Sequence, residues 1–207
     1  MLMDRVTQYA LDVVEGRVTA GKYVKLACER HLNDLKKSKL ATYRFRFDEE
    51  KANRIIEYAE TLYIAEGEKK QPLKLEDFQA FIFGSLFGWV DKETGYRRFR
   101  SSYVQVGRQN GKSMMNGILG TYCSSFDGYK YAQIYCTATK SDQAKIVLKE
   151  MIKFINADPD LQELFKIKEY ESTIEALATN STIKALGRDT KSIDGFRPYL
   201  GIVDEYH

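Results

Sequence analysis

The stretch from Tyr103 to Gly120, YVQVGRQNGKSMMNGILG, constrains the fold of this chain more than any other segment. It begins as an extended run, continues through a loop of small and polar residues, and ends as an apolar helical segment. A strand that leads through a glycine-containing loop into a helix is typical of a phosphate-binding loop. The general pattern is G-x-x-x-x-G-K-[ST], but Val106 stands at the first glycine position and Gly107 comes one residue later.

Phosphate binding does not require that first glycine. It requires backbone N–H groups around the phosphates, a helix N-terminus directed at them, and a lysine for the outer phosphates. We therefore predict that Lys112 contacts the β- and γ-phosphates of a nucleotide and that the Ser113 hydroxyl contacts Mg²⁺. Alone, Gly-Lys-Ser also fits a helix-capping turn with an exposed lysine. The predicted nucleotide-binding loop consists of Gly107, Arg108, Gln109, Asn110, Gly111, Lys112 and Ser113.

A second motif lies about 90 residues downstream, where the apolar run YLGIV ends in Asp204 and Glu205. An acid at the carboxyl end of a parallel strand lies beside a neighbouring phosphate loop in open α/β sheets. Asp204 is therefore the predicted second Mg²⁺ ligand, and Glu205 is the predicted base that orients the attacking water. The alternative is a strand followed by an ordinary acidic turn, and the upstream loop favours the catalytic interpretation.

The remaining pattern predicts an α/β domain preceded by helices. Residues 7–16, 21–37 and 48–67 have apolar residues at helical spacing, a short helix follows at 75–90, and EKKQP at 68–72 is the best candidate for a linker. We accordingly divide the chain into a helical subdomain, 1–66, and an α/β core, 67–207, built on a parallel sheet. In this core we predict an extended run at 98–106, strands at 132–139 and 197–204, helices at 112–126 and 141–157, and an antiparallel excursion between 165 and 187.

The composition excludes several classes of protein. The chain has 207 residues, of which 43% are hydrophobic and 29% charged, so it is an ordinary globular sequence and not a disordered one. No apolar stretch reaches the length of a bilayer span, and charged residues interrupt the first 20 positions, so we expect neither a membrane anchor nor a secretory signal. Three cysteines without a CxxC pair predict a reducing compartment and no structural zinc.

The two motifs together resemble the ATPase motifs of phage terminase large subunits. RQNGKS at 108–113 and IVDEYH at 202–207 are similar to the group whose phosphate loop reads R-Q-x-G-K-[ST], so Val106 fits this group. The stretches PLKLEDFQAFIFGSLFGW, ATKSDQAKIV and SIDGFRPYLGIVDE resemble other family segments in the same order. The resemblance covers nearly the whole chain, but only the first half of the family's length. No nuclease-type acidic cluster can be placed in this sequence.

The resemblance implies a P-loop NTPase core of the ASCE type that hydrolyses ATP with Mg²⁺ to package viral DNA. The implied partners are double-stranded DNA, further copies of the chain in a ring on a portal, and the terminase small subunit, all in the host cytoplasm. It also implies that Gln79 reads the adenine edge and that Arg108 contacts the γ-phosphate or steers Glu205. Arg188 and Arg197 are the candidates for an arginine that acts on a neighbouring subunit's site.

Two other interpretations remain open from the sequence. One is a different P-loop ATPase, such as a helicase-like DNA translocase. The other is a nucleotide-binding or assembly fragment without turnover. Two basic clusters, at 36–39 and 95–100, are either contacts for DNA phosphates or solvated surface, and a net charge of +3 does not decide between them.

Overall fold

The computed structural model describes residues 3–66, 69–138, 141–186 and 197–205. The chain divides into two units, of which the first comprises 1–61 with 74–105 and the second comprises 62–73 with 106–207. The division into a helical subdomain, 1–66, and an α/β ATPase core, 67–207, stays a prediction. The elements are, in chain order, α1 (Arg5–Val14), α2 (Lys22–Ser38), β1 (Phe45–Phe47), α3 (Glu49–Thr61), β2 (Tyr63–Glu66), β3 (Lys69–Pro72), α4 (Asp77–Gly88), β4 (Trp89–Asp91), α5 (Lys112–Ser125), β5 (Gln133–Ala138), α6 (Ser141–Ala157), α7 (Pro159–Leu164), β6 (Phe165–Lys168), β7 (Thr173–Ala176), β8 (Ser181–Leu186) and β9 (Leu200–Asp204).

The first unit packs four helices with a short antiparallel ladder. Asp4 caps α1 by accepting the N–H of Thr7 at 2.9 Å, and α1 then buries Val6, Ala10 and Val13 at helical spacing. Helix α4 approaches α1 closely because Gly84 has no side chain; a Cβ there would lie 2.3 Å from Val6 Cγ2. β1 and β4 pair antiparallel, which places aromatic side chains of both strands near the helices.

A buried histidine lies in this aromatic core. Trp89 Nε1–H donates to His31 Nδ1 at 3.0 Å, and His31 Nε2 lies 3.1 Å from Thr7 Oγ1. Burial lowers the pKa of His31 to about 4, and the Asp4 and Asp34 carboxylates only partly oppose that effect. The imidazole is therefore neutral at pH 7 and serves as a hydrogen-bonded core residue.

The second unit contains a five-stranded sheet in the order β6-β7-β8-β5-β9. β5 pairs in parallel with both β8 and β9, whereas β6, β7 and β8 form antiparallel pairs. The predictions of parallel strands and of an antiparallel excursion are therefore confirmed. The last strand of this antiparallel segment, β8, pairs with β5 on the side opposite β9. Sequence order alone did not indicate this position.

Two local predictions were wrong. The third helix ends at Thr61, not at Gly67, and the predicted linker contributes β3, which pairs antiparallel with β2. The hairpin ladder extends to a bond from Leu73 N–H to the Leu62 carbonyl at 2.8 Å. This tertiary pairing satisfies backbone groups that a continued helix would have satisfied internally, so helical periodicity did not decide the outcome.

The run preceding the phosphate loop is also not part of a sheet. Residues 99–107 have no strand assignment, and the preceding Arg97 makes an isolated bridge to Val90. A strand needs a neighbour for its hydrogen bonds, and no segment within the described ranges pairs with 99–107. Among the described residues, no helix combines the length and apolarity needed to cross a bilayer.

Candidate nucleotide-binding site

The predicted phosphate loop is a tight turn that leads into α5. Gly111 is the residue before the helix and has φ +75°, a left-handed conformation that glycine adopts without steric cost. Gln109 also has a positive φ, +62°. The Asn110 side chain donates from Nδ2 to the Arg108 carbonyl at 3.0 Å, which holds the turn from within. The turn therefore leads directly into α5, which begins at Lys112.

Two glycines in α5 fix this helix against α6. A Cβ at Gly117 would lie 3.0 Å from Phe154 Cε2, and one at Gly120 would lie 2.1 Å from Met151 Cε. Helix α5 also packs against β5 and β9 of the sheet. The apolar, glycine-containing sequence after Gly-Lys-Ser therefore anchors the loop to the strand that carries the second motif.

The second motif lies where β9 ends. Asp204 pairs in register with Ala138, the last residue of β5, so the acid stands at the carboxyl end of two parallel strands. Asp204 is 9% exposed. Burial raises the pKa of the neighbouring Cys136 thiol to about 12, and the negative charge of Asp204 contributes to that rise. Glu205 follows with φ +53°, which turns the chain sharply after the strand.

The structure brings the two motifs together. Lys112 Nζ lies 3.2 Å from Glu205 Oε1, although the residues are 93 positions apart in the chain. Both side chains are about one-third exposed, so the pair is accessible to a ligand. A cation at a helix start beside a carboxylate at a strand end can bind a phosphate group and hold a water molecule.

The chemistry of the available donors fits Mg²⁺. The ion is usually held by one or two carboxylates together with substrate phosphates and waters, not by a full protein cage. Asp204 supplies a carboxylate at the end of β9, and Ser113 supplies a hydroxyl in the first turn of α5. Within the described ranges no group of three or more His, Cys, Asp or Glu residues is placed to hold a metal by itself. A nucleotide-dependent site does not need such a group.

The other predicted site residues lie in different parts of the chain. Gln79 belongs to the first unit, is 4% exposed, and accepts the Glu76 N–H through Oε1 at 3.0 Å, so its amide oxygen has a helix-capping role. Its role at the adenine edge stays a prediction. Arg108 is an exposed residue of the turn. The predicted trans arginine Arg188 lies outside the described residues.

Arg197 lies at the opposite end of β9 from Glu205. Its N–H donates to Gln133 Oε1 at 3.3 Å, and Gln133 is the first residue of β5. At about 3.3 Å per residue, the strand separates Arg197 from the Lys112–Glu205 pair by well over a side-chain length. Arg197 therefore does not contact the site of its own chain, and its action on a neighbouring subunit stays a prediction.

Sequence reasoning missed the backbone conformations of the site. The left-handed residues Gln109 and Glu205 are not glycines, and only their position beside turn-forming residues gave a weak signal. It also did not show that Lys112 and Glu205 contact each other directly.

Comparison with known proteins shows the family of this chain. The family model described as the terminase large subunit, ATPase domain, matches residues 77–207. The chain belongs to this family. A curated relative, the terminase large subunit of Enterobacteria phage HK97, is 28% identical over 158 residues, which cover 75% of this chain and 30% of the relative.

A solved structure shows a similar fold. The crystal structure of the HK97 bacteriophage large terminase matches this terminase-family chain with a TM-score of 0.63 and 24% identity. The match covers 73% of this chain and 30% of that one. The mixed α/β architecture with parallel strands is thus that of a terminase large subunit, and the chain spans about 30% of the length of both relatives.

Proposed function

We propose that this chain binds ATP at the loop 107–113 and hydrolyses it with Mg²⁺ as part of the motor that packages viral DNA. The contact of 3.2 Å between Lys112 Nζ and Glu205 Oε1 carries this proposal, because it joins the phosphate-loop cation to the carboxylate at the strand end. Membership in a family of ATPase domains supports it. The second unit would then be a P-loop core of the ASCE type, consistent with its parallel strands β8, β5 and β9.

The residues of the chain have distinct roles in this proposal. The Lys112 ammonium binds the β- and γ-phosphates and exchanges its ion pair with Glu205 for the phosphate oxygens. The Glu205 carboxylate then accepts a hydrogen bond from a water molecule and takes its proton as the water oxygen attacks the γ-phosphorus. The bond between the γ-phosphorus and the β–γ bridging oxygen breaks in the same reaction, so that ADP leaves with that oxygen and inorganic phosphate is formed. Asp204 and Ser113 would hold Mg²⁺, which neutralises charge on the phosphate oxygens when it is bound. Arg108 would contact the γ-phosphate or orient Glu205.

This chain spans about 30% of the length of its relatives, so the activity and partners of the whole protein are a separate proposal. We propose that the full protein acts on double-stranded DNA, as a ring of copies on a portal and with the terminase small subunit, in the host cytoplasm. Arg197 or Arg188 would act on the site of a neighbouring copy. The helical segment 1–66 would then precede an ATPase core at 67–207.

The test is ATP binding and ATP hydrolysis with Mg²⁺ for the unsubstituted chain, Lys112→Ala and Glu205→Gln. We expect Lys112→Ala to lose ATP binding, because the phosphates lose their cation. We expect Glu205→Gln to keep binding and to lose turnover by roughly 10²- to 10⁴-fold, because the water loses its base. Lys149→Ala on α6 and Glu163→Gln on α7 are matched controls, since both residues are exposed on helices of the second unit other than α5.

Failure of the unsubstituted chain to bind ATP would contradict the phosphate-loop assignment. Binding without turnover would instead favour the nucleotide-binding fragment that the sequence left open. The family match already favours a terminase over a helicase-like translocase.

A further inference from the structure

Two exposed tyrosines lie in the turn that leads from α5 into β5. Tyr129 is 43% exposed and Tyr131 is 71% exposed, and the exposed Lys130 lies between them. We call residues 129–131 the tyrosine turn. Single exposed apolar side chains are ordinary in a folded chain, whereas adjacent ones beside a charge mark a surface that binds another molecule. The tyrosine turn is therefore a candidate interaction surface.

The tyrosine turn is held in one conformation. Tyr131 has φ +59°, and its N–H donates to the Thr179 carbonyl at 2.8 Å, just before β8 begins. The Tyr129 ring packs on the Tyr199 ring with their centres 4.6 Å apart, and Tyr199 OH donates to Asp127. A left-handed backbone is costly for a bulky residue, and such strain is concentrated at functional positions. Because the rings are already ordered, less conformational entropy is lost when they bind a partner.

A second exposed turn lies at the opposite end of the same sheet. Residues 169–172 join β6 to β7, and the pairings of the sheet make β6 run in the same direction as β5, β8 and β9. The turn after β6 is therefore at the edge that carries Asp204, and β8 with its six residues separates the two edges by about 20 Å. Tyr170 in this turn is fully exposed between Glu169 and Glu171. We call residues 169–171 the acidic turn.

The two turns carry opposite charges. Lys130 and Glu169 are exposed, and neither forms an ion pair with a residue that the structure describes. Glu171 Oε2 lies 3.9 Å from Lys168 Nζ, which makes a closer contact of 2.6 Å with Glu175. Lys168 is thus engaged mainly by Glu175, and the acidic turn keeps its negative charge.

A second copy of the chain is the partner that fits both turns. The turns are complementary in charge, and both expose tyrosine, a residue enriched at protein interfaces. Because they lie at opposite edges of one sheet, a contact between them joins different copies head to tail, and contacts of this kind close into rings or continue as filaments. Nucleic acid would bind the lysine and the rings but be repelled by the acidic turn, so it accounts for only one of the two surfaces.

The order of groups across the strands supports this pairing. At the amino edge, Arg197 lies beside β9, and Tyr131 bonds to the segment that precedes β8. At the carboxyl edge, Glu205 follows β9, and the acidic turn lies beyond β8 in the strand order. A copy placed amino edge to carboxyl edge therefore brings Arg197 toward the neighbour's Glu205 while its tyrosine turn faces the neighbour's acidic turn.

We propose that the tyrosine turn of one copy binds the acidic turn of the next. Lys130 pairs with Glu169 of the neighbour, and Tyr131 packs against the neighbour's Tyr170. This inference rests on the proposed motor and its ring of copies: it assigns the surfaces that join the copies and gives Arg197 access to a neighbour's site.

The experiment is sedimentation velocity of the full chain, without nucleotide, over about a hundredfold range of concentration. We expect Lys130→Glu and Glu169→Lys each to associate at least about tenfold more weakly than the unsubstituted chain, because like charges then face each other. An equimolar mixture of the two variants should regain association, since every contact between unlike copies again joins opposite charges. A mixture that associates no better than its components would overturn the proposal, and so would an unsubstituted chain that stays monomeric.

The matched control for charge is Lys149→Glu, which reverses the same charge at an exposed residue of α6 in the second unit. Its association should equal that of the unsubstituted chain. Equal losses in Lys149→Glu and Lys130→Glu would overturn the proposal, since they would indicate general charge attraction. If Lys130→Glu associates normally and instead loses affinity for a single-stranded oligonucleotide, the proposal is overturned in favour of nucleic acid.

Tyr131→Gly tests the aromatic contact separately from folding. Glycine adopts φ +59° without strain, so the thermal stability of the fold should be retained while association weakens roughly tenfold. Undiminished association of Tyr131→Gly would overturn the proposed contact with Tyr170. ATP binding and hydrolysis are measured separately, so failure of the proposed ATPase function leaves the association result readable.

Discussion

At the scale of single residues, backbone conformation is as specific as side-chain chemistry. The predicted phosphate loop contains Gly111 at φ +75°, and the second motif contains Glu205 at φ +53°. A non-glycine residue in this region costs about 1–2 kcal/mol, and such a cost is maintained only where the surrounding structure enforces it. Gly111 immediately precedes Lys112, the predicted phosphate ligand, and Glu205 immediately follows Asp204, a predicted metal ligand.

This geometry predicts the effect of Gly111→Ala. The added Cβ disfavours the left-handed turn, so the loop should shift and ATP affinity should fall at least about tenfold, equivalent to 1.4 kcal/mol. The matched control is Gly128→Ala, which has a similar φ of +87° in a turn of the same unit and open space around its Cβ position. Isothermal titration with ATP and Mg²⁺ measures the difference. Equal ATP affinity in the two variants would show that the loop conformation is not needed for binding.

His31 predicts how the stability of the first unit depends on pH. Its pKa in the folded chain is about 4, below the ordinary value of 6.5, so the unfolded chain binds more protons between those values. The stability due to the neutral imidazole is therefore complete above pH 6.5 and declines as pH falls toward 4. Between pH 7.5 and 5.5 the free energy of unfolding should fall by about 1 kcal/mol.

Urea unfolding at those two pH values tests this expectation. Fluorescence of Trp89, the single tryptophan of the chain and the hydrogen-bond donor to His31, reports the unfolding. His31→Gln removes the titrating group and should flatten the decline, although it lowers stability at both pH values. A decline of the same size in His31→Gln would assign the effect to other groups.

At the scale of elements, periodicity predicted the helices well because each helix is stabilised by contacts that recur along its own sequence. It was wrong at 62–72, where residues after α3 pair as the β2–β3 hairpin. It also missed α7, which Asp158 caps by accepting the Asp160 N–H at 3.0 Å before the helix begins with Pro159. Strand pairing depends on a partner elsewhere in the chain, and a local pattern does not specify that partner.

The sheet shows the same difference between local and non-local information. The sequence predicted buried-type strands at 132–139 and 197–204, and the structure confirms strands there, β5 and β9. In β9, however, buried residues alternate with exposed ones such as Val203. It did not indicate that β8 lies on the other side of β5 from β9. For the site, however, the pairing of β5 with β9 matters most, because it places Asp204 at the carboxyl end of two parallel strands, next to Glu205, which contacts Lys112.

At the scale of the whole molecule, the proposed motor requires more than one copy of the chain. Arg197 lies at the amino end of β9, away from Lys112 and Glu205 of its own chain, which is compatible with action on a neighbouring copy. A ring ATPase that completes its site with an arginine from a neighbour hydrolyses faster when copies associate.

We therefore expect ATP turnover per chain to rise with protein concentration, whereas ATP binding per chain should not. Hydrolysis rates measured over a hundredfold range of concentration, beside sedimentation to follow association, test this. Arg197→Ala should suppress the rise while ATP affinity is retained. A rate per chain that is constant while copies associate would show that no neighbouring residue contributes to turnover.

The sequence by itself determined the chemistry that we predict for this protein. The turn-forming residues around Gly111, the cation of Lys112 and the start of α5 are consecutive in the chain, so they predict a phosphate loop without tertiary information. The same holds for the apolar strand that ends in Asp204 and Glu205. Only the tertiary structure decided which groups meet: Lys112 with Glu205 across 93 positions, and Arg98 with Asp34 across 64. Such contacts arise from strand order and helix packing, which depend on the whole chain at once, and no local pattern of residues encodes them.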